Sequence, residues 1–145
     1  MLSDVPTGQP NDLNWLLRSL VERVPHTQSA LLLSSDGLKK AYCGLDTDQA
    51  DHLAAIASGL FSLARSAGAR FNSGTGGVRQ VVAELDESLL FVSTAGSGAV
   101  LTVMAGRGAD AGVLGYEMSQ LVKSVRPYLT TPARHAAAGA GDTVS

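Results

Sequence analysis

The sequence predicts an α+β sandwich with the element order αββαβββα. Three observations lead there. Three stretches carry apolar residues at helical spacing, and five short apolar runs between them read as strands. The connections Asp36-Gly37, Asp86-Glu87 and Gly96-Ser97-Gly98 are short enough for hairpins, so the strands pair antiparallel. The second helix carries two apolar stripes where a surface helix needs only one. The element order is that of an α+β sandwich rather than a dinucleotide-binding βαβ fold.

The first helix is expected from about Asp12 to Arg23, with Asn11 as N-cap and Pro25 enforcing the stop. Leu13, Leu16, Leu17, Leu20 and Val24 form its inner stripe, and Trp15 points away from it. Thr27 to Ser34 reads as a buried strand, and Asp36-Gly37 as a type I′ turn with positive φ at both central residues. Leu38 to Cys43 returns as an outer strand, where Lys39 and Lys40 discourage pairing with foreign strands.

Thr47 to Ala67 is the second helix. Ala50, Leu53, Ala54, Ala57, Leu60, Phe61 and Ala64 form one stripe; His52, Ile56, Gly59, Leu63 and Ala67 form another. The remaining face, Asp51, Ala55, Ser58, Ser62 and Arg65, is mostly small. Such a helix packs on its own sheet and also meets another helix, which marks an interface. A loop from Gly68 to Gly77 leads into strands at Val78 to Leu85, Ser88 to Ala95 and Ala99 to Ala105. Leu89 and Phe91 face one way and Leu90 and Val92 the other, so the middle strand is covered on both sides. Asp110 caps a last helix to about Arg126, with Leu114, Met118, Leu121, Val122 and Val125 inward and Pro127 after its end.

The 145 residues suit one domain: a loose N-terminus at 1–10, a folded part at 11–129 and an Ala/Gly-rich disordered tail at 130–145. Charged residues make up 17% and the formal net charge is −2. Without a basic stripe, nucleic acid and anionic membrane are not expected partners. The single cysteine, Cys43, permits no internal disulfide and suits a reducing compartment. No secretory signal opens the chain and no apolar run is long enough to insert in a membrane, so the expected location is cytoplasmic, at most peripheral to a membrane-bound signalling complex.

Chemistry is sparse. His26, His52 and His135 lie far apart without ligand spacing, so no metal site is expected. Ser34, Ser35 and Asp36 would need an activating base to act as a nucleophile patch, and none is visible. Gly106-Arg107-Gly108 is followed by Gly112, one residue late for a dinucleotide fingerprint. Arg70 and Arg79 flank the glycine loop and read as solvated charges. No catalytic residue and no cofactor emerges, so the chain is not read as an enzyme.

The ordered train NDLNWLLRSLVERVP, SALLLSSDGL, DQADHLAAIASGLFSLA, GGVRQVVAEL, LLFVSTAGSGAVLTVMA and LGYEMSQLVKSV resembles the bacterial roadblock/dynein light chain domain family. The likeness covers roughly Asp12 to Tyr128 and is strongest to roadblock proteins encoded beside Ras-like small GTPases, the Mgl-type regulators. It implies a roadblock/profilin-like fold: a five-stranded antiparallel sheet with the second helix on one face and the first and last on the other.

The resemblance further implies a homodimer joined through the second helix and third strand, placing His52, Ile56, Gly59, Leu63, Val78, Gln80 and Val82 in the dimer interface. Asp51, Ala55, Ser58, Ser62 and Arg65 become the expected contacts to a partner. That partner would be a Ras-like small GTPase, activated without an arginine finger or held on a scaffold; other signalling proteins of the same operon are further candidates. The alternative class is a ligand-sensing or adaptor domain in a signalling complex without direct GTPase activation.

Overall fold

The computed structural model describes residues 9–74, 77–96 and 98–130. It contains α1 (Gln9–Arg23), β1 (Thr27–Ser34), β2 (Lys39–Cys43), α2 (Thr47–Phe71), β3 (Gln80–Glu84), β4 (Ser88–Gly96), β5 (Ala99–Gly106) and α3 (Ala111–Thr130). The element order is the expected one. The five strands form one antiparallel sheet in the order β2-β1-β5-β4-β3.

Strand alternation divides the core into two layers. Leu32, Phe91, Leu101 and Val103 meet Leu17 and Leu20 of α1 and Leu114, Met118 and Val125 of α3. On the other face Leu31, Leu33, Leu90, Val92 and Val100 meet Ala50, Leu53, Ala54, Ala57 and Phe61 of α2. One helix therefore covers one face and two cover the other, as expected. Leu90 and Phe91 of β4 belong to opposite layers, which is why that strand is apolar on both sides. Arg23 of α1 reaches Glu117 of α3 at 3.2 Å across the solvent side of the paired helices.

Several local expectations change. Asn11 lies within α1 rather than capping it, and Gln9 and Pro10 form its first turn. Pro10 is tolerated there because the first N–H groups of a helix have no intrahelical acceptor. The first hairpin is not a type I′ turn: Gly37 has φ +94° but Asp36 does not adopt positive φ. The Gly37 N–H donates to Ser34 O at 2.9 Å, and the Ser34 N–H donates to Leu38 O at 2.9 Å. A three-residue loop lets glycine alone take the left-handed conformation, sparing Asp36 the Cβ penalty. The Ser34 hydroxyl bonds the Asp36 carboxylate and receives the Leu38 N–H, so both side chains serve the turn.

Helix α2 runs past Ala67 to Phe71, and the Asn72 N–H closes the final turn on Gly68 O. Strand β3 starts at Gln80 rather than Val78, because its ladder with β4 begins at the Gln80–Ser93 pair. Pro127 lies inside α3. Its fixed φ is already helical, so it removes one late hydrogen bond without ending the helix. Asp110 does cap α3, its Oδ1 accepting the Val113 N–H at 3.0 Å. The loose ends expected at 1–10 and 130–145, and with them His135, otherwise lie outside the described residues.

Candidate interaction face

A capping box fixes the start of α2: the Gln49 N–H donates to Asp46 Oδ1 at 2.8 Å, and the Asp46 N–H donates to Gln49 Oε1 at 3.0 Å. Its inner stripe is buried or half-buried throughout, from Ala50 to Ala64. Its second stripe stays open. His52, Ile56, Gly59, Leu63 and Ala67 are all exposed, Ile56 by 49% and Leu63 by 70%. A Cβ built on Gly59 meets nothing within 4 Å, so no contact inside this chain requires glycine there. Phe71, placed in a loop by the sequence reading, ends the same helix 80% exposed.

The third face divides. Ala55, Ser62 and Arg65 are exposed, whereas two neighbours tie α2 to the first hairpin. Lys39 Nζ lies 2.6 Å from Asp51 Oδ1, and the Ser58 hydroxyl donates to Ser35 O at 3.2 Å. The Asp51 hydrogen bond holds the Lys39 ammonium above its ordinary range. Asp51 and Ser58 thus have work within the chain that their sequence context did not reveal.

Strand β3 is one outer strand of the sheet. Val81 and Ala83 pack toward α2, as does half-buried Val78. By alternation Gln80 and Val82 face the opposite side, both exposed and Val82 by 50%. The expected interface residues therefore do not share one face: the α2 stripe and Val78 lie on the α2 side, Gln80 and Val82 on the α3 side. What joins them is the β3 edge. The other outer strand, β2, is closed by α1, since the Tyr42 N–H donates to Asn14 Oδ1 at 3.0 Å. Nothing local in the sequence signalled that bond between residues 28 positions apart.

Among the described residues no group of three or more His, Cys, Asp or Glu side chains could hold a metal ion. Cys43 is half-buried and packs against the α1–α3 layer. Among the described residues no helix is long and apolar enough to cross a membrane. The arrangement offers surfaces for association: an apolar helix stripe beside an outer strand whose backbone groups face outward.

Comparison with known proteins gives these features a context. The family model of the Roadblock/LC7 domain matches residues 13–105, ending before α3. A crystal structure of a Roadblock/LC7 domain from Streptomyces avermitilis is 70% identical, covering 81% of this chain and 97% of that one, with a TM-score of 0.77. A second Roadblock/LC7 domain from the same organism is 40% identical over 77% of this chain and 96% of its own, with a TM-score of 0.63. Myxococcus xanthus MglB shares the fold at 13% identity, a TM-score of 0.75, and coverage of 90% and 96%. No curated protein matches the sequence significantly.

Proposed function

This chain belongs to the Roadblock/LC7 domain family, and we propose that it acts as a homodimeric regulatory or scaffold protein that binds a Ras-like small GTPase and modulates its nucleotide cycle. The observation that carries the reading is the exposed stripe of Ile56 and Leu63 around an unobstructed Gly59, on a helix whose other apolar stripe is fully engaged. A second copy docking there would remove two large side chains from water at about 25 cal/mol per Å² of apolar area. Pairing of β3 with its counterpart would also satisfy the outward backbone groups of that edge.

The dimer then presents a composite face with Ala55, Ser62 and Arg65 on its rim, and that face receives the GTPase. The chain contributes by holding the GTPase's own switch segments in place, the catalytic groups remaining with the GTPase. The likeness to MglB is one of fold in the single chain. A single-turnover GTP hydrolysis assay with a Ras-like small GTPase from the same organism tests the reading. Binding with faster hydrolysis identifies an activator, and binding at an unchanged rate identifies a scaffold. No binding by the dimer overturns the proposal.

A further inference from the structure

The exposed stripe of α2 ends in opposite charges placed symmetrically about Gly59. Asp48 stands eleven residues before Gly59 and Arg70 eleven after it. Eleven residues is close to three helical turns, so each charge falls within about 20° of Gly59 around the axis. Both therefore lie on the face of His52, Ile56, Gly59 and Leu63, and both are exposed. Neither forms a salt bridge among the described residues, where the pairs are Arg23–Glu117 and Lys39–Asp51. Lys39, bonded to Asp51, feels Asp48 only through space.

The signs suit α2 itself, since an acid in the first turn and a base in the last complement the helix dipole. That role asks nothing of the face on which they stand, nor of equal spacing about one glycine. A two-fold axis beside Gly59 sets two copies of α2 antiparallel, and residues equally distant from Gly59 then come level with each other. Asp48 comes level with Arg70 of the second copy. Size matches in the same way: Leu63 comes level with Ala55, Ile56 with Ser62 and His52 with Ser66. Each large side chain meets a small one. A shallow hollow lined by Asp48, Asp51, His52 and Ala55 opens at the acidic end, where Arg70 and Leu63 of the second copy would arrive.

We infer that a second copy of this chain packs its α2 antiparallel on this one, crossing at Gly59 at a shallow angle, with Asp48 of each copy paired to Arg70 of the other. The missing Cβ of Gly59 lets the two axes approach closely at the crossing. The charges fix the angle. They stand about 16 Å along the axis from Gly59. There, helices crossed at about 20° are displaced sideways by about 6 Å, within reach of an arginine; at about 50° the displacement is about 14 Å and the pair is lost. The inference rests on the homodimer reading above and adds the direction, register and angle that it leaves open.

The test is sedimentation velocity of the full chain at micromolar concentration: the parent, Asp48→Arg, Arg70→Asp, and the two variants mixed in equal amounts. Each variant alone sets like charges against each other at both ends and should dimerise about tenfold more weakly than the parent. In the mixture every reversed charge meets its opposite, so dimers should return to near the parent's affinity. A folding defect in either variant is not repaired by mixing, so recovery reads the pairing itself. Variants that self-associate as well as the parent overturn the antiparallel pairing and leave the homodimer standing. So does a mixture that stays monomeric beside a dimeric parent. A monomeric parent overturns both.

Discussion

The backbone N–H of Tyr42 donates to the side-chain Oδ1 of Asn14 at 3.0 Å, so a helix side chain closes one outer strand of the sheet. The two edges are therefore unlike: β2 is covered by α1, while β3 carries exposed Gln80 and Val82. Asn14→Leu keeps the side-chain size and removes the acceptor. It should lower unfolding free energy by about 1 kcal/mol, read from urea denaturation, without changing the oligomeric state. An unchanged midpoint would mean that water replaces Asn14 at no cost.

Gly59 separates the stability of the single chain from its association. With nothing within 4 Å of where a methyl group would stand, Gly59→Ala should raise monomer stability by about 0.5–1 kcal/mol through helix propensity alone. In a dimer built on this stripe the same methyl stands between two helices and should weaken self-association. Thermal scans under dilute conditions and sedimentation at higher concentration read the two effects separately. A more stable chain with undiminished association would place the contact elsewhere.

Gly44 is fixed by the chain's own backbone. Its φ is +82°, and a Cβ there would lie 2.5 Å from Gln28 O. Gly44→Ala should cost about 3 kcal/mol, combining left-handed strain with a clash against a rigid carbonyl. Denaturant unfolding checks the size, and a loss near zero would show that the β2–α2 connection can shift freely.

The Lys39–Asp51 pair gives a pH dependence of definite sign. The Asp51 hydrogen bond raises the Lys39 pKa above 10.5, so the folded state holds this proton more tightly than the unfolded state. The pair's contribution is fully present below 10.5 and is lost as pH rises through the higher folded value. The gap in urea midpoint between the parent and Lys39→Met should stay flat at lower pH and close under strongly alkaline conditions. Because the pair is at the surface, the gap should be small and shrink with salt.

Features that depend on local periodicity were legible in the sequence. The two stripes of α2 and the inner face of α3 are set by spacing alone, and Leu114 and Met118 proved buried while Ile56 and Leu63 proved exposed. Turn chemistry was half legible: Asp36-Gly37 marked the hairpin, but only the loop geometry decided that Gly37 alone takes positive φ. Pro127 misled because its disfavour in helices is a matter of one missing donor and local crowding, which a final turn accommodates. Contacts between distant segments were not legible. Asn14 on Tyr42 and Ser58 on Ser35 each require the finished topology to bring their residues together.

The most direct measurement is the solution mass of the full chain by sedimentation equilibrium at micromolar concentration, alongside Ile56→Asp and Leu63→Asp. A charge in the stripe costs a folded monomer little, because both positions are exposed in the single chain. The expected result is twice the 14.9 kDa chain mass for the parent and the single-chain mass for both variants, with unchanged circular dichroism. A parent of 14.9 kDa would contradict the dimer on which the proposed GTPase-binding face is built.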